Sequence, residues 1–367
     1  MTLYPKLITD ALLTVVYPGT KKNLIESEML ADQPSIDGMK VRFTLIFPRE
    51  TDPFLKSTLK AAEAAIHYHV SKEVEVTIET EFRSAPRPTV DKLLPQVKNI
   101  IAVSSGKGGV GKSTVSASLA IALAKLGYKV GLLDTDIFGP SMPKMFGVED
   151  ERPYAVEVDG RKLVEPIEKY GVKLLSIGFF VNPGTATLWR GGMATSALKQ
   201  LITDANWGEL DYFILDTPPG TSDIHLTLLQ TLSITGAIIV TTPQKVALAD
   251  ARKGIDMYRN ENVNVPILGL VENMAWFTPA ELPENKYYIF GRDGGKDLAK
   301  EMGCPLLAQI PLVQSICENG DAGTPAAVKV DTVTGQAFIS FAQAVVTVTN
   351  RRNAELPKTK IIEVHNQ

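Results

Sequence analysis

The sequence is poor in cysteine and has no long apolar run. Only two of its 367 residues are cysteines, Cys304 and Cys317. Two cysteines cannot form a disulfide framework, which is typical of a reducing compartment, and we expect a cytoplasmic protein. No window approaches about 18 uninterrupted apolar residues, so no transmembrane helix is predicted. The first residues, MTLYPKLITDALLTVVYPG, lack the positive start and continuous apolar core of a signal peptide.

The sequence also lacks a strong excess of either charge. It contains 38 lysines and arginines against 41 aspartates and glutamates, a formal net charge of −3. Domains that bind nucleic acids usually carry a basic patch, so we expect no nucleic-acid partner, and we expect no stable membrane association. Hydrophobic residues make up 44% and charged residues 22%, which is typical of a globular protein with a sizeable core.

The hydrophobic patterns divide the chain into four segments. Residues 1–80 show helix, strand, helix and strand patterns in turn, which predicts a small α+β domain. Residues 81–97 contain three prolines and little periodicity, as a linker does. In residues 98–347, short apolar runs alternate with helical patterns, which predicts an α/β domain with a doubly wound, mainly parallel sheet. Residues 348–367 are polar and are interrupted by Pro357, so we expect a surface or disordered tail.

A glycine-rich segment, SSGKGGVGKST at 104–114, lies between a predicted strand and a predicted helix. Its G-x-x-x-x-G-K-S pattern is that of a phosphate-binding loop, in which glycines let backbone N–H groups surround a phosphate at a helix N-terminus. Lys112 would reach the β- and γ-phosphates, and the Ser113 hydroxyl would coordinate Mg²⁺. The candidate ATP-binding residues are Gly106, Lys107, Gly108, Gly109, Val110, Gly111, Lys112, Ser113 and Thr114.

Aspartates stand at two further strand ends. Asp134 ends the apolar run KVGLLD and Asp136 lies two residues beyond it, and Asp216 ends the run DYFILD. In doubly wound sheets, ligand-binding residues collect at the carboxyl ends of the strands. We expect Asp216 to hold the Mg²⁺ shell with Ser113, directly or through water. Phosphoryl transfer depends mostly on positioning, so Asp136 is the candidate for orienting the attacking water, with Asp134 a weaker candidate.

The residue after Gly106 is a second lysine, Lys107. The resulting GKGGVGKST resembles the deviant Walker A signature of the MinD, ParA and nitrogenase-iron-protein class. In that class this lysine contributes to the nucleotide of the partner subunit across a dimer. The resemblance therefore implies a homodimer in which Lys107 is catalytic together with Lys112 and Asp136. The alternative is an ordinary solvated surface lysine.

Longer segments resemble one family within this class. The stretch from the glycine-rich loop to FGPSMPKMFG, together with LDTPPGTSD, VENMAWF and IFGRDGGKDLA, is similar to the Mrp/ApbC family of P-loop ATPases over about residues 98–345. The resemblance implies a homodimeric ATPase that carries iron–sulfur clusters to apoproteins and meets iron–sulfur assembly proteins. It also implies that Asn273 contacts the adenine base. Residues 1–80 resemble the small domain of iron–sulfur assembly factors, although Tyr17-Pro18 replaces the expected Asp-Pro.

The chain departs from this family in one loop. Members usually carry C-x-x-C between E-N-M and I-F-G, and two such pairs hold one bridging cluster between subunits. Here the loop contains WFTPAE at 276–281 and no cysteine. Clusters are held mainly by thiolates, so the usual shared site is absent. Cys304 is expected to be a small buried hydrophobe, and Cys317 is the better candidate for a thiol that ligates a transient iron–sulfur cluster. We expect no metal role for the four histidines.

Two alternatives to a cluster carrier remain open. One is an ATP-dependent scaffold or regulatory switch without a cluster, and the other is a positioning ATPase of the MinD or ParA kind. The second requires a basic amphipathic membrane helix or a DNA-facing patch, and the sequence offers neither. The cysteine-free loop contains four aromatic residues, namely Trp276, Phe277, Tyr287 and Tyr288. We predict that they contact a partner subunit or client. The alternative is that they only cover the core of the ATPase domain.

Overall fold

The chain folds into two units in a computed structural model. The first unit comprises Met1–Asp91 and the second Lys92–Gln367. Much of the predicted linker (83–92) and the end of the predicted tail (362–367, which includes His365) lie outside the described residues. The structure describes residues 3–27, 29–47, 52–82, 93–137, 139–158, 160–180, 191–279, 281–282 and 284–361.

The first unit is a small α+β fold around a three-stranded sheet. It contains the predicted order of helix, strand, helix and strand, with three short strands added. The alternating pattern of β4, KVRFTLIF, explains how this sheet forms a core with the helices. Every second side chain of the strand is buried, namely Val41, Phe43, Leu45 and Phe47. The elements are α1 (Pro5–Leu12), β1 (Val16–Tyr17), β2 (Lys22–Asn23), β3 (Ser35–Asp37), β4 (Lys40–Phe47), α2 (Leu55–His69) and β5 (Glu75–Phe82). Strand β4 pairs with β3 antiparallel and with β5 parallel.

The second unit is built on an eight-stranded sheet. Its strands are β6 (Val97–Ser104), β7 (Val130–Asp134), β10 (Ile167–Lys169), β11 (Val172–Ser176), β12 (Leu210–Asp216), β13 (Gly236–Thr241), β14 (Ile267–Phe277) and β15 (Leu306–Leu312), and β8 (Tyr154–Val158) and β9 (Arg161–Glu165) form a separate hairpin. The helices are α3 (Lys112–Lys125), α4 (Met142–Phe146), α5 (Gly191–Thr203), α6 (Asp223–Thr231), α7 (Lys245–Arg259), α8 (Gly294–Glu301), α9 (Gln314–Asp321) and α10 (Val333–Glu355). Two short 3₁₀ helices span Ile177–Phe179 and Ala326–Val328.

The sheet of the second unit is covered on both faces. Its strand order is β10-β11-β7-β12-β6-β13-β14-β15, and only β10 pairs antiparallel. In the central strand β6, Ile101 and Val103 join the core that includes α3 and α10, whereas Ile100 and Ala102 join the core that includes α5 and α7. A strand buried on both sides must be apolar throughout. The arrangement confirms the predicted doubly wound, mainly parallel fold.

Strand β14 is longer than the sequence predicts. The apolar run ILGLV at 267–271 predicts a strand that ends at Val271, followed by about 19 residues without evident secondary structure. In the structure β14 instead continues to Phe277. This expectation was wrong because Glu272 and Asn273 are polar yet buried. Glu272 accepts hydrogen bonds from the Gly295 backbone N–H and from Gln309, so polar side chains satisfied by neighbouring elements interrupt the apolar pattern.

The final helix, α10, also extends past a predicted boundary. It continues to Glu355, so the expected start of a polar tail at 348 falls inside the helix. The reason is that Thr349 and Arg352, although polar, are buried on its inner face. Pro357 follows just beyond the helix end, where proline is common. At 23 residues α10 is the longest helix, and in the described part of the chain no helix is long and apolar enough to cross a bilayer.

Candidate nucleotide site

The phosphate loop spans residues 105–111 between β6 and α3. Gly109 and Gly111 both have a φ of +81°, a conformation that favours glycine. A Cβ on Gly106 would lie 2.0 Å from the Asp250 backbone oxygen, and one on Gly111 would lie 2.2 Å from Asn273 Nδ2. Two of the motif's glycines are therefore required because other groups occupy the space of a side chain.

The crest of the loop is exposed. Lys107, Gly108 and Gly109 are all accessible, and a Cβ on Gly109 would meet no atom within 4 Å. The Ser105 hydroxyl donates to the Lys107 backbone oxygen at 2.9 Å and so fixes the chain beneath the crest. The Lys107 ammonium group has no hydrogen bond or ion pair with any described residue. As far as the described residues show, this exposed side chain is available to a group from outside the chain.

Lys112, Ser113 and Asp216 form one hydrogen-bonded set beneath the loop. Lys112 Nζ donates to Asp216 Oδ1 at 2.8 Å, and Ser113 Oγ donates to Asp216 Oδ2 at 2.8 Å. Lys112 is 6% exposed and Asp216 is fully buried. The structure thus brings together the predicted phosphate-binding lysine, the predicted Mg²⁺-binding serine and the aspartate at the end of β12.

A third donor to Asp216 was not predicted. Ser116 Oγ lies 2.6 Å from Asp216 Oδ1 and 3.1 Å from the Lys112 backbone oxygen. Serines inside helices often bond to the carbonyl four residues earlier, so nothing in the sequence distinguishes this one. Only its spacing, one turn after the lysine on the same helix face, could have indicated a role.

Asp134 lies beside Asp216 on the neighbouring strand β7, with which β12 pairs in register. It is fully buried and accepts hydrogen bonds from the Ser141 and Met142 backbone N–H groups and from the Ser176 hydroxyl, at 3.0–3.2 Å. Burial, and then the charge of Asp216, raise the pKa of Asp134 to about 7. These contacts hold the segment after β7 and use both oxygens of the buried Asp134 carboxylate within the fold.

Asp136 stands two residues further along and is half-buried. Its backbone N–H donates to Asp134 Oδ1 at 3.2 Å, and its Oδ1 accepts from the Gly139 N–H at 3.3 Å. These bonds hold Asp136 at the carboxyl end of β7, the edge of the sheet from which the phosphate loop also leaves. The role of Asp136 in orienting a water stays a prediction.

Asn273 is connected to the phosphate loop directly. Its Nδ2 donates to the Val110 backbone oxygen at 2.9 Å, and the residue is 7% exposed. This hydrogen bond joins the end of β14 to the loop just before its helix begins. The predicted contact of Asn273 with adenine stays a prediction.

His225 lies close to the same site but acts as a helix cap. Its Nδ1 accepts from the Ser222 backbone N–H at 3.2 Å, and its Nε2 is 3.4 Å from Ser104 Oγ. Burial, and then the charge of Lys112, lower the pKa of His225 to about 4. The imidazole is therefore neutral at pH 7 and caps the N-terminus of α6.

The two cysteines lie in different environments. Cys304 is half-buried against the core, and burial raises the pKa of its thiol. Cys317 is exposed on α9, with Sγ 3.8 Å from Asp321 Oδ2. Among the described residues, no three histidine, cysteine, aspartate or glutamate side chains form a group that could hold a metal ion. His67 bonds to the Val74 backbone oxygen instead.

The cysteine-free loop begins after Phe277. The backbones of Phe277 and Tyr287 exchange two hydrogen bonds of 2.8 Å, which close the base of the loop. The Lys286 ammonium lies 4.0 Å from the centre of the Trp276 ring, so the half-buried indole is covered by a cation. Tyr287 is 45% exposed. The predicted aromatic interface is thus partly covered and partly accessible within the chain.

A family model described as "ParA: NUBPL iron-transfer P-loop NTPase" matches residues 96–346. The chain belongs to this family. Two curated relatives have the name iron–sulfur cluster carrier protein, which confirms the resemblance to the Mrp/ApbC family. The relative from Synechocystis is 44% identical over 87% of this chain and 91% of its own length. The relative from Haemophilus influenzae is 46% identical over 81% of this chain and 76% of its own.

Solved structures confirm the fold of the second unit. A nucleotide-binding protein from Archaeoglobus fulgidus, solved in complex with ADP and with cobalt found, is 34% identical with a TM-score of 0.58. The similarity covers 68% of this chain and 96% of that one. The cell division ATPase MinD from Pyrococcus furiosus is 23% identical with a TM-score of 0.51, over 68% of this chain and 99% of its own. The MinD likeness concerns the fold alone.

Proposed function

We propose that this protein is a homodimeric, Mg²⁺-dependent ATPase that delivers iron–sulfur clusters to apoproteins. The observation that carries the proposal is the hydrogen-bonded set of Lys112, Ser113 and Asp216 beneath an exposed phosphate loop. The chain's membership of a family described as iron-transfer P-loop NTPases supports the proposal that the cargo is an iron–sulfur cluster. Each part of the proposal has its own structural support and its own test.

Nucleotide binding requires Lys112 to exchange partners. Its ammonium is bonded to Asp216, and a β- or γ-phosphate would replace that carboxylate as its counter-ion. Ser113 and Asp216 would then hold Mg²⁺, because the ion prefers oxygen ligands such as hydroxyl and carboxylate groups. The Ser113 hydroxyl and the Asp216 carboxylate are already adjacent, since they share a hydrogen bond. The ion would neutralise charge on the phosphates.

Hydrolysis needs a positioned water and stabilised charge rather than covalent chemistry by the protein. Water attacks the γ-phosphorus, the bond to the oxygen bridging to the β-phosphorus breaks, and ADP leaves with that electron pair. Asp136 orients the water, and Lys112 stabilises the charge on the phosphates. Lys107, at the exposed crest of the loop, stabilises charge on the nucleotide of the partner subunit.

Two lysine substitutions test the ATPase and the dimer separately. Lys112→Ala should abolish turnover. Lys107→Ala should keep nucleotide binding within the chain but lower both hydrolysis and ATP-dependent dimerisation. Lys125→Ala, which removes an exposed lysine at the far end of α3, is the matched control. Light scattering with and without Mg-ATP, beside phosphate release, makes the comparison, and full activity of Lys107→Ala would contradict a shared site.

The iron–sulfur cluster would be cargo rather than a resident cofactor, because the chain does not provide a complete site for it. Clusters are held mainly by four thiolates, whereas this chain offers one exposed thiol, Cys317, and one half-buried thiol, Cys304. Two copies would contribute two exposed thiolates. The remaining ligands must come from a client or a small thiol, so the proposal is transient carriage rather than permanent binding.

The missing C-x-x-C also favours a second candidate, an ATP-dependent switch that carries no cluster. Anaerobic reconstitution with iron and sulfide, followed by analysis of both, distinguishes the two functions. A carrier should retain iron in the native chain and in Cys304→Ser, and lose it in Cys317→Ser. A colourless native protein with intact ATPase activity would support the switch and exclude the carrier.

A further inference from the structure

A cavity of about 230 Å³ lies at the end of the sheet opposite the phosphate loop. Strand β6 connects the two places: its first residues line the cavity, and the loop follows Ser104. At 3.3 Å per residue, the ends of β6 are roughly 23 Å apart, so this cavity is not part of the nucleotide site. It is lined by Leu93, Leu94, Val97, Lys98, Ile100, Ser233, Thr235, Arg352, Asn353, Leu356, Lys358 and Thr359.

Arg352 is the unusual residue of this cavity. It lies in the last turn of α10, and only 7% of it is exposed. Its Nη2 donates to the Pro357 backbone oxygen at 2.7 Å and to Thr359 Oγ1 at 2.9 Å, and its Nη1 to Asn353 Oδ1 at 3.3 Å. Its enclosed Nε has no acceptor among the described residues. Every acceptor of this guanidinium in the described part of the chain is neutral.

Two of the three cations that line the cavity have no carboxylate partner within the described residues, namely Arg352 and Lys358. The third, Lys98, is paired with Asp211 at 2.8 Å. None of the described lining residues is acidic. Buried arginines are normally paired, because removing a charge from water without a counter-ion is costly. Burial accordingly lowers the pKa of Arg352. A ligand carrying negative charge would supply the counter-ion that Arg352 does not find among the described residues.

We propose that this cavity binds a small organic carboxylate with an apolar body. The guanidinium is the side chain best matched to a planar carboxylate. Five of the lining residues are apolar, namely Leu93, Leu94, Val97, Ile100 and Leu356. They favour a ligand with a short hydrocarbon part over inorganic phosphate. The volume is below the roughly 300–1,000 Å³ typical of pockets for larger ligands, so the ligand has the size of a small metabolite.

Calorimetric titration of the full-length, ADP-saturated protein with hexanoate tests the charge and the apolar part together. Saturation with ADP prevents binding of the probes at the phosphate loop. We expect hexanoate to bind with a Kd on the order of 1 mM, which is reasonable for so small a ligand. Hexanamide has the same shape without the charge, and phosphate has charge without the apolar body. Both should bind at least about tenfold more weakly.

Substitutions locate the binding. Arg352→Gln should weaken hexanoate binding by about tenfold or more, as expected for loss of a charged hydrogen-bond donor. Lys358→Gln changes an exposed side chain, so it should fold normally and weaken binding less, by a few-fold at low salt. Lys107→Ala, at the other end of the sheet, should still bind ADP and leave hexanoate binding unchanged while ATP hydrolysis falls, which separates this proposal from the proposed ATPase.

The competing explanation is that Arg352 only ties the chain after α10 to the helix end. It predicts that Arg352→Gln lowers stability while hexanoate has no effect on either protein. Absence of hexanoate binding by the native chain would overturn the carboxylate proposal, as would equal binding of hexanoate and hexanamide. If Arg352→Gln fails to fold, unchanged hexanoate affinity in Lys358→Gln at low salt would overturn it as well.

Discussion

Replacing Asp216 by asparagine should destabilise the nucleotide-free protein strongly. The change keeps the size of the side chain but leaves Lys112, only 6% exposed, without its carboxylate. Breaking a buried ion pair costs about 3–5 kcal/mol. Removing the Asp216 charge also relieves its repulsion of Asp134, which offsets part of that cost. We therefore expect the free energy of unfolding to fall by about 3 kcal/mol, the lower end of that range.

ADP should remove most of this penalty. Its β-phosphate gives Lys112 a new counter-ion, so the cost of Asp216→Asn should shrink to about 1 kcal/mol when ADP is bound without Mg²⁺. By linkage, the difference of about 2 kcal/mol appears as tighter binding. ADP should bind Asp216→Asn roughly 30-fold more tightly than it binds the native chain, since about 1.4 kcal/mol corresponds to a factor of ten.

Tryptophan fluorescence during urea denaturation reports the unfolding of the second unit, which contains the candidate nucleotide site. All three tryptophans, at positions 189, 207 and 276, belong to the second unit. The control is Glu301→Gln: the Arg252–Glu301 pair has an N···O distance of 2.7 Å, close to the 2.8 Å of Lys112–Asp216, but both partners are largely exposed. An exposed pair contributes about 0–1 kcal/mol. The reasoning is refuted if both variants cost the same, or if ADP leaves the cost of Asp216→Asn unchanged.

Three further outcomes can be measured with the same unfolding assay. Gly109→Ala and Gly111→Ala impose the same φ of +81° on alanine, so each should lower the free energy of unfolding by about 1 kcal/mol through backbone strain. The total loss in Gly111→Ala should be about 2 kcal/mol, and ADP binding should weaken, because the Cβ at 111 also displaces the Asn273 amide. His225 has a folded pKa of about 4 against an ordinary 6.5, so its contribution to stability is present above pH 6.5 and lost as the pH falls towards 4. The loss should reach about 3 kcal/mol in the native chain and be smaller in His225→Gln, and an identical acid profile would contradict the assigned pKa. Lys107→Ala should change the free energy of unfolding by less than about 0.5 kcal/mol, since its ammonium has no partner among the described residues; a larger loss would mean that the loop itself depends on this lysine.

The site could be predicted from the sequence where its chemistry is local. The glycine spacing, the lysine that begins α3 and an apolar strand ending in Asp216 each follow from a short segment. The carboxyl ends of parallel strands meet at one edge of the sheet, so their convergence could also be expected. The sequence did not indicate that Asp216 accepts hydrogen bonds from both Lys112 and Ser113. That arrangement depends on the directions of the side chains after folding.

Buried polar residues account for the parts of the fold that the sequence concealed. Glu272 and Asn273 in β14, and Thr349 and Arg352 in α10, are polar and face inward. A pattern based on hydrophobicity places such residues outside, and in β14 their hydrogen-bond partners come from distant segments. Gln309 and Gly295 satisfy Glu272, and the phosphate loop satisfies Asn273. The error in predicting the end of β14 therefore arose at the strand that contacts the candidate site.

Among its described residues, the second unit contains two buried cations whose charge is balanced in opposite ways. Lys112 begins α3 and has its counter-ion within the fold, in Asp216. Arg352 ends α10, a helix packed against α3, and has only neutral acceptors among the described residues. A nucleotide would therefore exchange one counter-ion for another, which favours a switch between two states of similar stability. A carboxylate at Arg352 would add a counter-ion, so at ten times its Kd it should stabilise the fold by about 1.4 kcal/mol.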